Sequence, residues 1–300
     1  MKSGRKIVVF IFSVLFLTAC SAAMALQPDQ IKAAEDAGLV VKNDAFEQPV
    51  GAAEAAAAAL VNPFPSGLLE ITDYKYPVFL YAPRGYRPDG SYAMIVIAPS
   101  EGAEAEEGIR YLKTIADSKN VFILSPHGLW TYGGDVPYLL DEWILQIKKD
   151  VVNRFPINKN KIYVMGKGTG ANYAAYLSMK HVGEFTGAAL LGQGWDGPFS
   201  KIMQIRSDSA DQVPFFVAFR ADQPEVKAAN EVWLDKLQAK GYPIHLTEVK
   251  SEADFSSREF KQDMFAWLEE TSQHWLNEVK QGQKSFKAQL KKGWKTFFTV

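Results

Sequence analysis

The chain is 300 residues long, with a formal net charge of −1 and 47% hydrophobic residues. That is enough apolar material for one sizeable core, and a single α/β domain can reach this length. The neutral balance excludes a partner recruited by bulk charge, such as nucleic acid; no Cys/His spacing marks a metal site and no motif asks for a cofactor.

Residues 1–19 read as a secretory signal peptide. Lys2, Arg5 and Lys6 precede an apolar run, residues 7–17, that is too short for a normal membrane-spanning helix. The segment Leu17-Thr18-Ala19-Cys20-Ser21 resembles the bacterial lipobox, which makes Cys20, the lone cysteine of the chain, the expected lipidation site. Ser21 does not resemble an inner-membrane retention signal, so the expected place is the cell envelope, anchored by lipid to the outer membrane. Ala23-Met24-Ala25 offers a competing cleavage site, and with it a periplasmic or secreted chain.

Residues 20–66 are Ala-, Gln- and Glu-rich without a wide apolar stripe, so they read as a tether with some helix, ended by Pro63-Phe64-Pro65-Ser66-Gly67. Beyond it, residues 67–276 form the expected domain. Strands are predicted over 76–82, 93–98, 121–124, 161–165, 188–191, 214–219 and 244–249. Helices are predicted over 108–118, 139–155, 172–179, 226–239 and 258–276. Unbroken apolar strands alternating with helices imply βαβ crossovers, a mostly parallel central sheet and a three-layer α/β fold. Residues 277–300 form a basic, aromatic tail: Lys280, Lys284, Lys287 and Lys291 share one helical face, and no acid follows Glu278. Such a tail fits an anionic membrane surface or a partner, or packs back on the domain.

Ile162-Tyr163-Val164-Met165 runs straight into Gly166-Lys167-Gly168-Thr169-Gly170 and then a helix. A sharp strand-to-helix turn of this kind lifts one side chain over the sheet edge, next to amides that stabilise an oxyanion. The stretch Phe155 to Gly166 resembles the approach to the nucleophile in the polyhydroxybutyrate-depolymerase and feruloyl-esterase-like branch of the α/β-hydrolases, "Y-P-I-D-x-x-R-[IV]-Y-V-T-G-x-S-x-G-G". Glu184 to Ala189, and Pro214 to Pro224 with the acid-bearing Asp222, resemble later segments of that family. The resemblance implies an α/β-hydrolase fold over about residues 69–270 and, in an intact member, a serine, a histidine and an acid.

This chain departs from that pattern three times. The nucleophile position is Gly168, which has no atom able to attack a carbonyl; Asp222 keeps the acid's place. No histidine lies between His245 and His274, where the family places its own. The loop after the strand at 93–98 reads Pro99-Ser100-Glu101-Gly102, and a carboxylate there opposes an oxyanion. The expected site is therefore a vestigial one, with no intact catalytic residue.

Other features have two readings each. Lys167 and Thr169, in a Gly-rich turn at a helix N-terminus, suit an anion or are structural remnants; the spacing is neither a Walker loop nor a dinucleotide fingerprint. Ser125 is the one alternative nucleophile at a sheet edge, although Pro126 separates it from His127. Trp130 and Trp195, in glycine-containing loops at strand ends, grip a small-molecule or protein ligand or cap the sheet. With Ser100 and Lys167, they complete the candidate binding residues. The function expected is a lipid-anchored, non-catalytic envelope protein that binds a ligand or partner. The alternative is a carboxylic-ester hydrolase with a non-standard nucleophile, and a third reading is a structural block on a tether.

Overall fold

The computed structural model describes residues 39–41, 65–74, 76–100, 103–128, 138–197 and 199–297. Cys20, Trp130, the signal segment and most of the tether lie outside the described residues. Nine described strands form one sheet: β1 (Leu39–Val41), β2 (Gly67–Ile71), β3 (Val78–Ala82), β4 (Tyr92–Ile97), β5 (Phe122–Pro126), β6 (Ile157–Lys167), β7 (Gly187–Leu191), β8 (Phe215–Arg220) and β9 (Ile244–Val249). Their order is β1-β2-β3-β5-β4-β6-β7-β8-β9, antiparallel from β1 to β5 and parallel from β5 to β9.

The helices are α1 (Ala105–Lys119), α2 (Tyr138–Arg154), α3 (Thr169–Lys180), α4 (Pro224–Ala239), α5 (Glu252–Phe255) and α6 (Arg258–Phe297). Their ends are set by local chemistry. Asn120 closes α1 in the left-handed region (φ 52°), Pro224 starts α4, and a Ser251/Asp254 capping box starts α5. Strand residues alternate between two cores. Met94, Val96, Ile162 and Val164 meet α2, α3 and α4 on one face, while Ile95, Ile97, Tyr163 and Met165 meet α1 and α6 on the other. Both faces are thus covered, giving the three-layer α/β architecture.

Two departures concern the ends. Residues 39–41 of the expected tether pair with β2 as an added edge strand. The segment set apart as a tail from residue 277 continues α6 without a break to Phe297. Among the described residues no helix is long and apolar enough to cross a membrane.

One consequence of the strand order positions the site. The chain leaves central β4 for β5 on one side, then returns to β6 on the other. The carboxyl ends of β4 and β6 therefore lie side by side, at the reversal of strand order where open α/β sheets hold ligands.

Candidate functional site

At the end of β6 the backbone turns through Gly168 with φ 54° and ψ −129°, and α3 starts at Thr169. A Cβ on Gly166 would lie 1.9 Å from the Gly170 carbonyl oxygen, and one on Gly170 would lie 2.4 Å from the Ala98 carbonyl oxygen. These flanking glycines let strand, helix and the β4 loop approach each other at backbone distance. At Gly168 a Cβ would meet nothing within 4 Å. The turn points that position into open space, held by Gly168 N–H donating to Leu191 O at 2.8 Å.

Ser100 straps the turn from the β4 side. Its hydroxyl donates to Lys167 O at 2.6 Å and accepts from Gly170 N–H at 3.3 Å. That hydroxyl and that amide, both candidates for holding an anion, are thereby committed to each other. Thr169 is half-buried at the first position of α3. Glu101 and Gly102 lie outside the described residues.

An ion-pair chain crosses the edge next to the turn. Lys167 pairs with the carboxylate of Glu252 at the start of α5; Glu252 also meets Arg220 Nη1 at 3.4 Å. Arg220, the last residue of β8, donates from Nε at 2.8 Å and Nη2 at 2.5 Å to the two carboxylate oxygens of Asp222. The hydrogen bonds from Arg220 hold the Asp222 carboxyl below its ordinary range. Two cations and two carboxylates alternate, so the chain is neutral as a unit. It joins the loops after β6, β8 and β9, the same three loops from which the family resemblance would bring nucleophile, acid and histidine. Glu252 stands in the histidine's loop. Neither Arg220 nor Glu252 belongs to a sequence motif; the one local signal is Arg220 two residues before Asp222 at the same strand end.

The four histidines are elsewhere. His181 contacts Asp141 at 2.9 Å, and His245 on β9 stacks on Phe216 with ring centroids 4.9 Å apart. His274 lies 3.3 Å from Glu278, and the His127 N–H donates to Pro77 O after β5. Ser125 is 1% exposed in β5, packed against Gly108 of α1, and is not accessible as a nucleophile. Trp195 is 0% exposed, edge-on to Phe215 at 5.2 Å. Its N–H backbone group is held by Asn230 Oδ1 at 2.6 Å. The Trp195 ring is thus turned inward against β8 and is not exposed to grip a ligand.

No family model matches the chain, and no curated protein matches it. Its structure is similar to that of a thermostable esterase, at 19% identity and a TM-score of 0.50, over 68% of this chain and 62% of that one. It is also similar to the poly(3-hydroxybutyrate) depolymerase of Bordetella parapertussis: 12% identity, TM-score 0.50, 68% of this chain and 90% of that one. The chain has the α/β-hydrolase fold. A third likeness, to S-formylglutathione hydrolase from Staphylococcus aureus, has 11% identity and a TM-score of 0.50 over 64% and 92% of the two chains. At such identities the likeness is one of fold, and this α/β-hydrolase-fold chain spans under two thirds of the thermostable esterase's length.

Proposed function

We propose that this protein is a lipid-anchored cell-envelope member of the α/β-hydrolase fold that binds a ligand or partner without turning over esters. The observation that carries the reading is Gly168, which fills the one position where the turn presents a side chain to open space. Nucleophilic ester hydrolysis needs an attacking oxygen and a base to take its proton. Here the position is bare, Asp222 is bound to Arg220 instead of a histidine, and Lys167 is neutralised by Glu252. The lipid anchor rests on the lipobox-like segment ending at Cys20.

The test is turnover of short-chain nitrophenyl esters by the purified chain and by Gly168→Ser. The expected result is none for either, because a serine alone still lacks a base. Turnover abolished by Ser100→Ala or Thr169→Ala would instead support the alternative, a carboxylic-ester hydrolase with a non-standard nucleophile, which the esterase-like fold favours. For the anchor, Cys20→Ser is expected to move the protein from the membrane to the soluble fraction; unchanged fractionation would count against lipidation.

A further inference from the structure

A concavity lies at the far end of α3 from Gly168, about 18 Å along the helix for its 12 residues at roughly 1.5 Å each. The last turn of α3 (Tyr176, Met179, Lys180) faces the connection between β7 and β8 (Ile202, Gln204, Arg206) across a cleft of about 260 Å³. Its two cations differ in state. Lys180 donates to Asp141 at 2.9 Å and to the Tyr176 hydroxyl at 2.5 Å. Asp141 is already filled, with Tyr173, Tyr176, Lys180 and His181 all within 2.9 Å of its oxygens.

Arg206 has no such partner. Its backbone is pinned on both sides, the N–H donating to the Tyr242 hydroxyl at 2.8 Å and the carbonyl accepting from Gln212 Nε2 at 3.1 Å. Its Nε is buried and hydrogen-bonded to no described group, and the guanidinium forms no ion pair among the described residues. A partly buried guanidinium without a counter-charge is costly, and its fork geometry suits a carboxylate. Of the remaining walls, Gln204 is polar and exposed, while Met179, Ile202 and the Tyr176 ring are apolar, so the complementary ligand carries a short hydrocarbon body behind its charge.

We propose that this cleft binds a small organic carboxylate, with its head on Arg206 and its short apolar body against Met179 and Ile202. The site is separate from the elbow and does not depend on whether the protein hydrolyses esters. The test is thermal unfolding of the full chain carrying Cys20→Ser, titrated with hexanoate, inorganic phosphate or hexylamine. Expected is a saturable rise in melting temperature with hexanoate alone, by mass action, and at least tenfold weaker apparent affinity in Arg206→Gln. Ile202→Trp, which fills the cleft while keeping the arginine, is expected to abolish the hexanoate response. The proposal is overturned by no response to hexanoate or by an equal response to hexylamine or phosphate. It is equally overturned if Arg206→Gln binds hexanoate as the parent does. Should Arg206→Gln not fold, a hexanoate response that survives Ile202→Trp overturns it.

Discussion

Gly166, Gly168 and Gly170 sit two residues apart, yet they are glycine for different reasons. Two are forced by space: their added Cβ atoms would collide with backbone at 1.9 and 2.4 Å. The middle one is favoured by its left-handed φ of 54° alone, and there is room above it. Gly170→Ala is therefore expected to destabilise by about 3 kcal/mol or more, since backbone, not a flexible side-chain end, must move. Gly168→Ser is expected to fold and to cost only about 1–3 kcal/mol, the range for a strained backbone conformation. Urea unfolding of both variants measures the difference; similar losses would contradict the turn geometry. From the sequence alone the three glycines look equivalent, because close approach of β6, α3 and the β4 loop is not written in any one of those segments.

At the scale of elements, two charged clusters behave in opposite ways. The Lys167–Glu252–Arg220–Asp222 chain ties three loops together, but its carboxylates are about half exposed, at 49% and 51%. Exposed pairs contribute little, so Glu252→Gln is expected to cost less than about 1 kcal/mol in thermal or urea unfolding. Asp141, by contrast, is 1% exposed and ties α2 to α3. Burial opposes its charge, but hydrogen bonds from His181, Lys180, Tyr176 and Tyr173 outweigh it and hold the carboxyl below the usual range. Asp141→Asn is expected to cost about 3 kcal/mol at neutral pH, as loss of one member of a buried charged cluster does. Because the folded-state value is depressed, this stability is present above the unfolded value near about 4 and is lost as pH falls through the folded one. The gap between parent and Asp141→Asn should thus close below about pH 4; a gap that is flat across that range would sink the assignment. Most elements were legible, from β3 to β9 and from α1 to the first half of α6. Missing were β1, β2 and the single-turn α5. Gly-Leu-Leu-Glu-Ile is neither an unbroken apolar run like Val-Phe-Leu-Tyr-Ala of β3 nor a clean alternation, and it is defined by its pairing with β3.

Across the whole molecule, one sheet separates two cores that both depend on it. Leu177 in α3 and Leu268 in α6 are buried on opposite faces, at 0% and 1% exposure. Each Leu→Ala change is expected to lower stability by about 2–5 kcal/mol and to shift the same single transition. Coincident tryptophan-fluorescence and far-ultraviolet circular-dichroism curves would show it, whereas separate transitions would mean that the layers fold independently. The sequence by itself determined the alternation of strands and helices, the glycine at position 168 in the strand-to-helix turn and the single cysteine at Cys20, because these are properties of composition and local order. Only the tertiary structure decided that Arg220 and Glu252 join Lys167 and Asp222, that Trp195 turns inward, and that Arg206 faces Lys180 across a cleft. Each of those depends on side chains from segments far apart in the chain meeting in space, and chain order carries no record of that distance.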